Sequence, residues 1–189
     1  MPDDYYPWGG EFIVCNHKGC VAVVILNLDY IPSENVAIYG WLKTENIGIE
    51  KIVANVISNP NIRYIVVCGD DIRGHRSGLS LIALNKNGID RNNKIIGARG
   101  AIPYIENLNN EAIKRFQNQI EIIDLIGVSD KKIIKRKIDE YIKKSPPSFG
   151  KPYYAIKIKQ KNEINLDDKR VIHSKIKINY LGKIVKRGE

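Results

Sequence analysis

The chain is poor in sulfur and in long apolar runs. Its 189 residues include three cysteines and one methionine. Three cysteines cannot form a fully paired disulfide framework, which excludes the small disulfide-stapled secreted scaffolds and points to a reduced, cytoplasmic protein. No apolar stretch approaches the roughly 20 residues that a membrane-crossing helix requires, so no transmembrane segment is expected. The opening residues, MPDDYYPWGGEF, are acidic and aromatic where a secretory leader has a basic start and an apolar core. Internal repeats and low-complexity tracts are also missing.

What is present is an ordinary globular composition, 43% hydrophobic and 27% charged, in a chain long enough for one full core and an appendage. The net charge of +9 is unevenly spread. Residues 1–130 hold 12 Lys and Arg against 15 Asp and Glu, whereas residues 131–189 hold 18 against 6. A tail this basic suits an acidic partner surface such as nucleic acid, anionic lipid or another protein. Solvated lysine faces account for it equally well.

In chain order, strand and helix patterns alternate. Phe12–Cys15 and Val21–Leu28 read as strands around the turn Asn16-His17-Lys18-Gly19, and Val36–Leu42 as a further extended piece. Thr44 is a helix cap followed by Ile49, Ile52, Val53, Val56 and Ile57 at helical spacing, with Asn59-Pro60 as the stop. Ile95-Ile96-Gly97 begins a short strand. Glu111–Ile126 reads as one helix with Ile113, Phe116, Ile120, Ile123 and Leu125 inward, and Ser129 caps a basic helix over Asp130–Lys144. The expected fold is α/β: a Rossmann-like, mostly parallel sheet flanked by helices. This domain covers residues 1–144. The remainder, 145–189, is a linker over Ser145–Gly150 and a basic tail, whose period-2 stretches Tyr153–Lys161 and Val171–Val185 predict two or three strands.

The chemistry concentrates in Arg63–Ser80, RYIVVCGDDIRGHRSGLS. Tyr64–Cys68 has the β-branched composition of a strand buried on both faces. A loop follows with Asp70, Asp71, Gly74, His75 and Gly78, and then a helical pattern runs to Gly88. This order puts His75 beyond the carboxyl end of a strand, where open α/β sheets bind ligands. Four roles are open to it. A general base wants a nucleophile motif that is missing. A phosphate loop would need G-x-x-x-x-G-K-[ST] or G-x-G-x-x-G, and neither is present. An axial metal ligand would offer one ring nitrogen while a carboxylate held the other. A structural loop histidine is the fourth. Elsewhere, Cys15, His17 and Cys20 form C-x-H-x-x-C, which lacks the fourth ligand of a closed zinc site, and His173 sits on a basic strand pattern at the expected surface.

Three blocks, LKTENIGIEKIVANVISNPNIRYIVVCG, GHRSGLSLIALNKNGID and IIGARGAIPYIENL, closely resemble the A subunits of the methanogen tetrahydromethanopterin S-methyltransferase over about residues 11–128. The resemblance implies a corrinoid (cobalamin) carrier in a complex with other methyltransferase subunits, with cobalt alternating between Co(I) and methyl-Co(III). The family's G-H-x-x-G histidine, the lower axial ligand of cobalt, maps onto His75. On that reading Asp70 or Asp71 holds the other imidazole nitrogen. Gly74 and Gly78 lie beside the ligand, and Lys43, Thr44, Glu45 and the loop Gly97, Gly100, Ala101, Ile102, Pro103 and Tyr104 line the corrin. Such a carrier does not turn over alone.

The chain also departs from that pattern. Leu79 stands where family members often carry Gln, and a basic β-patterned tail follows Pro146 where family members usually end in a transmembrane helix. The departures imply a soluble homologue. Classical cobalamin domains use D-x-H-x-x-G, whereas Asp71 here lies four residues before His75, so the site residues of those domains are not carried over. The alternative is a non-catalytic binding module on the same fold that uses its tail for nucleic acid or an acidic partner.

Overall fold

A computed structural model describes residues 6–155 and the strand segments 176–178 and 184–186. The chain divides into two compact units, 1–158 and 159–189. The first unit is built on a five-stranded sheet. Its strands are β1 (Phe12–Val14), β2 (Val21–Ile25), β3 (Ile38–Trp41), β4 (Tyr64–Gly69) and β5 (Glu121–Ile126). Four helices accompany them: α1 (Ile47–Ser58), α2 (Ser77–Asn87), α3 (Asn110–Gln119) and α4 (Lys131–Lys144). The expected α/β class and mostly parallel sheet are both found. In the second unit, β6 (Ile176–Ile178) pairs antiparallel with β7 (Ile184–Lys186). His173 and most of the tail patterns lie outside the described residues.

The sheet order is β1-β3-β2-β4-β5, with only β1 antiparallel to its neighbour. The central strands β2 and β4 are almost unbroken apolar runs because both faces are covered. Ala22, Val24, Ile65 and Val67 point into a core shared with α1, α2 and α3. Their alternates Val21, Val23, Ile25, Val66 and Cys68 point to the opposite face, where Ile134 and Ile138 of α4 close the layer. Burial pushes the Cys68 thiol up to about 12, and burial also raises the thiols of Cys15 and Cys20. All three cysteines are therefore poor sources of thiolate at neutral pH.

Two expected elements are corrected. Glu111–Ile126 is not one helix: α3 ends at Gln119 and the chain turns at Ile120 straight into β5. The EIIDLI segment has an isoleucine-rich, β-branched composition, and parallel pairing with β4 outweighs the helical spacing that its apolar residues happen to share with α3. The Ile95–Gly97 strand reduces to isolated bridges, Ile89 to Ile95 and Lys94 to Tyr104, inside a folded loop. Smaller shifts concern caps. Asn46 caps α1 while the Thr44 hydroxyl accepts from Gly48 N–H at 3.0 Å, and Asp130 rather than Ser129 caps α4.

Residues 145–155 lie against the body at the edge where β4 begins. The Phe149 ring sits between the guanidinium groups of Arg63 and Arg115, 5.1 and 4.7 Å from its centroid, and Tyr153 N–H donates to Ile57 O. Beneath this strap, buried Gln119 donates through Nε2 to the carbonyls of Val56, Asn59 and Ile62 at 3.0–3.1 Å. Gln119→Ala leaves those carbonyls without their amide donor in a place water does not reach. The expected loss is about 1–3 kcal/mol of unfolding free energy, measured by urea denaturation. A change within about 0.5 kcal/mol, the range of an ordinary surface substitution, would contradict this role.

Candidate functional site

The parallel order places β3 on one side of β2 and β4 on the other, so the chain diverges at the carboxyl ends of β2 and β4. Such divergence opens a crevice in α/β sheets. The loop between β4 and α2 fills it. Gly69 takes a left-handed φ of 90°, where a Cβ would strike Leu28 at 2.8 Å. Gly78, in the first turn of α2, lies so close to Leu26 and Ile126 that a Cβ would come within 2.8–3.0 Å of their methyl groups. Both glycines let the loop and helix settle directly on the strand ends.

Asp71 is committed to the helix. Arg76 occupies the cap position of α2 in a left-handed conformation, φ 48°, and offers no side-chain cap. The Asp71 carboxylate substitutes for one: Leu79 and Gly78 N–H donate to it at 2.9 and 3.2 Å, and the Ser77 hydroxyl at 3.4 Å. The helix N-terminus is thus already paired with an anion, which removes the donors a phosphate loop would use. Asp70 is exposed, and its backbone bridges to Asn27.

The acceptor at His75 is therefore not the expected aspartate pair. It is Glu45, thirty positions earlier, whose Oε2 lies 3.1 Å from His75 Nδ1. The Glu45 side chain is 4% exposed and the His75 side chain 54% exposed. Burial opposes ionisation of Glu45. Even so, donors from Ile102 N–H, its own N–H and His75 hold its carboxyl below the usual carboxylate range. An ionised carboxylate only accepts, so Nδ1 carries the proton and Nε2 is the ring nitrogen turned to other partners. This is the arrangement found behind ligating histidines, in which the carboxylate fixes both tautomer and ring plane.

Glu45 also organises the second wall. Its Oε1 accepts from Ile102 N–H at 2.9 Å, and Gly100 packs so tightly on the His75 carbonyl and Glu45 that a Cβ there would clash with both. Glu50, buried in α1, takes the backbone N–H groups of Glu106 and Asn107 and the Asn107 amide. Two buried carboxylates thus pin the 97–107 loop beside His75. Gly97, at φ 84°, turns the loop past Asn87, whose amide donates to Ile96 O at 2.9 Å. Of the remaining expected residues, Pro103 is buried, while Gly74, Ala101, Ile102 and Tyr104 face solvent. Lys43 instead pairs with Glu11 at 2.6 Å, and the Thr44 hydroxyl is spent on Gly48 N–H in the first turn of α1.

Glu50 went unnoticed in the sequence, although a carboxylate on the same helical face as Val53 and Ile57 is a signal for a buried polar role. The paired state of Glu45 has a consequence for stability. Its lowered carboxyl contributes stability above its unfolded pKa, and that stability is lost as pH falls through the folded value. The wild-type chain is expected to lose unfolding free energy more steeply than Glu45→Gln as pH falls below about 4. Denaturant titrations across that range check this, and parallel curves would contradict the pairing.

The profile of the family of tetrahydromethanopterin S-methyltransferase A subunits matches residues 2–180. Among curated relatives, the tetrahydromethanopterin S-methyltransferase A1 subunit of Methanothermobacter thermautotrophicus is 47% identical over 158 residues, 82% of this chain and 66% of that protein. The corresponding A subunit of Methanosarcina acetivorans is 44% identical over 159 residues, 82% of this chain and 65% of that protein. The same organism's Mtx A subunit, named as a candidate methyltransferase, is 44% identical over 141 residues, 75% of this chain and 72% of that protein. The chain thus spans about two thirds of the length of the relatives it matches. With a profile match across nearly its whole length and these identities, the chain belongs to the family of tetrahydromethanopterin S-methyltransferase A subunits.

Proposed function

We propose that this chain is a corrinoid-binding methyl carrier in which His75 supplies the lower axial nitrogen. The observation that carries the reading is the His75–Glu45 pair: a half-exposed imidazole with Nδ1 fixed by a buried, ionised carboxylate and Nε2 available. The surroundings fit a flat, largely apolar macrocycle. Ile72, Leu79, Ile96, Ile102 and Tyr104 expose large apolar surfaces on the segments flanking His75, and Gly74 adds no side chain beside it. Apolar exposure gathered at one site marks a ligand or partner surface.

A corrinoid bound there would supply a cobalt centre able to accept a methyl group and give it up again. The chain's own contribution is to bind and orient. Glu45 keeps the proton on Nδ1, so Nε2 can coordinate without first losing a proton. The same carboxylate ties the ring to the 97–104 loop through Ile102, which holds that wall in register with the histidine. Among the described residues no group of three or more His, Cys, Asp or Glu side chains gathers to form a separate metal site. Other proteins would present the methyl donor and acceptor, in keeping with relatives named as subunits.

An absorption titration of the purified chain with cob(III)alamin tests this directly. Saturable binding with a spectral change is expected for the wild type, the change disappearing in His75→Ala. Glu45→Gln is expected to retain the change but weaken binding by about 10–100-fold, the usual cost of removing a carboxylate behind a ligating histidine. Binding with a spectrum indifferent to His75→Ala would overturn the axial-ligand assignment. No binding at all would overturn the carrier reading in favour of a non-catalytic module.

A further inference from the structure

Beside His75, on the flank of α2, lies an open groove of about 340 Å³. Leu79, Ile82 and Ala83 form its apolar floor, and Arg76, Lys86 and Arg99 stand around it. No carboxylate lines the groove, and none of the three cations has a salt-bridge or hydrogen-bond partner for its side chain among the described residues. That convergence runs against the local charge balance, since acidic residues outnumber basic ones in residues 1–130. Three unpaired cations repel one another unless an anion joins them.

The groove shares its frame with the histidine. Arg76 follows His75 directly, and its left-handed backbone belongs to the turn that starts α2. The turn holds Arg76 in that conformation through its own N–H on Ile72 O and Ser80 N–H on its carbonyl, which fixes where its side chain leaves the backbone. Arg99 is carried by the other wall, next to Gly100, which packs against the His75 carbonyl. The groove is therefore bounded by the same helix start and the same loop that bound the His75 site.

We propose that this groove is an anion subsite that takes a phosphate-type group of a ligand bound beside His75. The inference rests on the corrinoid reading for the identity of that ligand. Two guanidinium groups and one ammonium offer the charge-assisted donors that such oxygens prefer, and the apolar floor receives the organic part attached to them. Cobalamin carries such a group, the phosphodiester of its nucleotide. A separate acidic substrate is the other source of the same chemistry.

The test uses the full chain and a triple variant, Arg76→Asn, Lys86→Gln, Arg99→Gln, in which asparagine tolerates the left-handed position. Backbone amide NMR under titration with inorganic phosphate is expected to shift Arg76, Gly97 and Arg99 saturably, with affinity at least about tenfold weaker in the variant. Cobalamin and cobinamide, which lacks the nucleotide, then identify the source. Tighter wild-type binding of cobalamin, lost in the triple variant, assigns the groove to the phosphodiester. Equal affinity with a phosphate response assigns it to a separate acidic ligand. If neither corrinoid binds, the carrier reading fails while the phosphate response alone decides the groove. No phosphate response, with no preference for cobalamin, overturns the subsite.

Discussion

The site depends on one buried carboxylate. Glu45 is nearly sealed from water, and an ion in that position is tolerable only if its lone pairs are filled. Ile102 N–H and His75 Nδ1 fill them from two segments that are far apart in sequence. The requirement to satisfy Glu45 thus draws the β4–α2 loop and the 97–104 loop together. It also sets the histidine's tautomer. A neutral residue at this position would relieve the burial cost and would also release both walls.

The sheet supplies the rigidity that this pairing needs. β2 and β4 are buried on both faces, and glycines at the start of the loop and helix let His75 sit directly over the strand ends. Asp71 satisfies α2 from outside the helix, so the loop's own donors are spent on structure. His75 is left as the loop's accessible imidazole. At the edge where β4 begins, away from the histidine, the Phe149 strap stacks between Arg63 and Arg115 and closes the lower rim of the core.

Much of this architecture was legible in the sequence because local signals agreed with tertiary ones. The run from Tyr64 to Cys68, the Gly88 stop and the apolar period of α1 all reported elements that the fold keeps. β5 was missed because Ile113, Phe116, Ile120 and Ile123 share a helical spacing by coincidence, and only the pairing with β4 settles the matter. His75 stood out through its glycines and its place after a strand. Its partner did not. Asp70 and Asp71 were nearer in sequence, and proximity in sequence says nothing about which carboxylate a fold will bury. The cationic groove was invisible for the same reason, since Arg76, Lys86 and Arg99 form a set only once α2 and the loop are side by side.

The most direct test of this account is the tautomer of His75 in the free protein. Long-range proton–nitrogen NMR on histidine-labelled chain at mildly alkaline pH distinguishes the two ring nitrogens. A protonated Nδ1 and a bare Nε2 are expected in the wild type, with that preference lost in Glu45→Gln. A proton on Nε2 in the wild type, or a tautomer unchanged by Glu45→Gln, would contradict it.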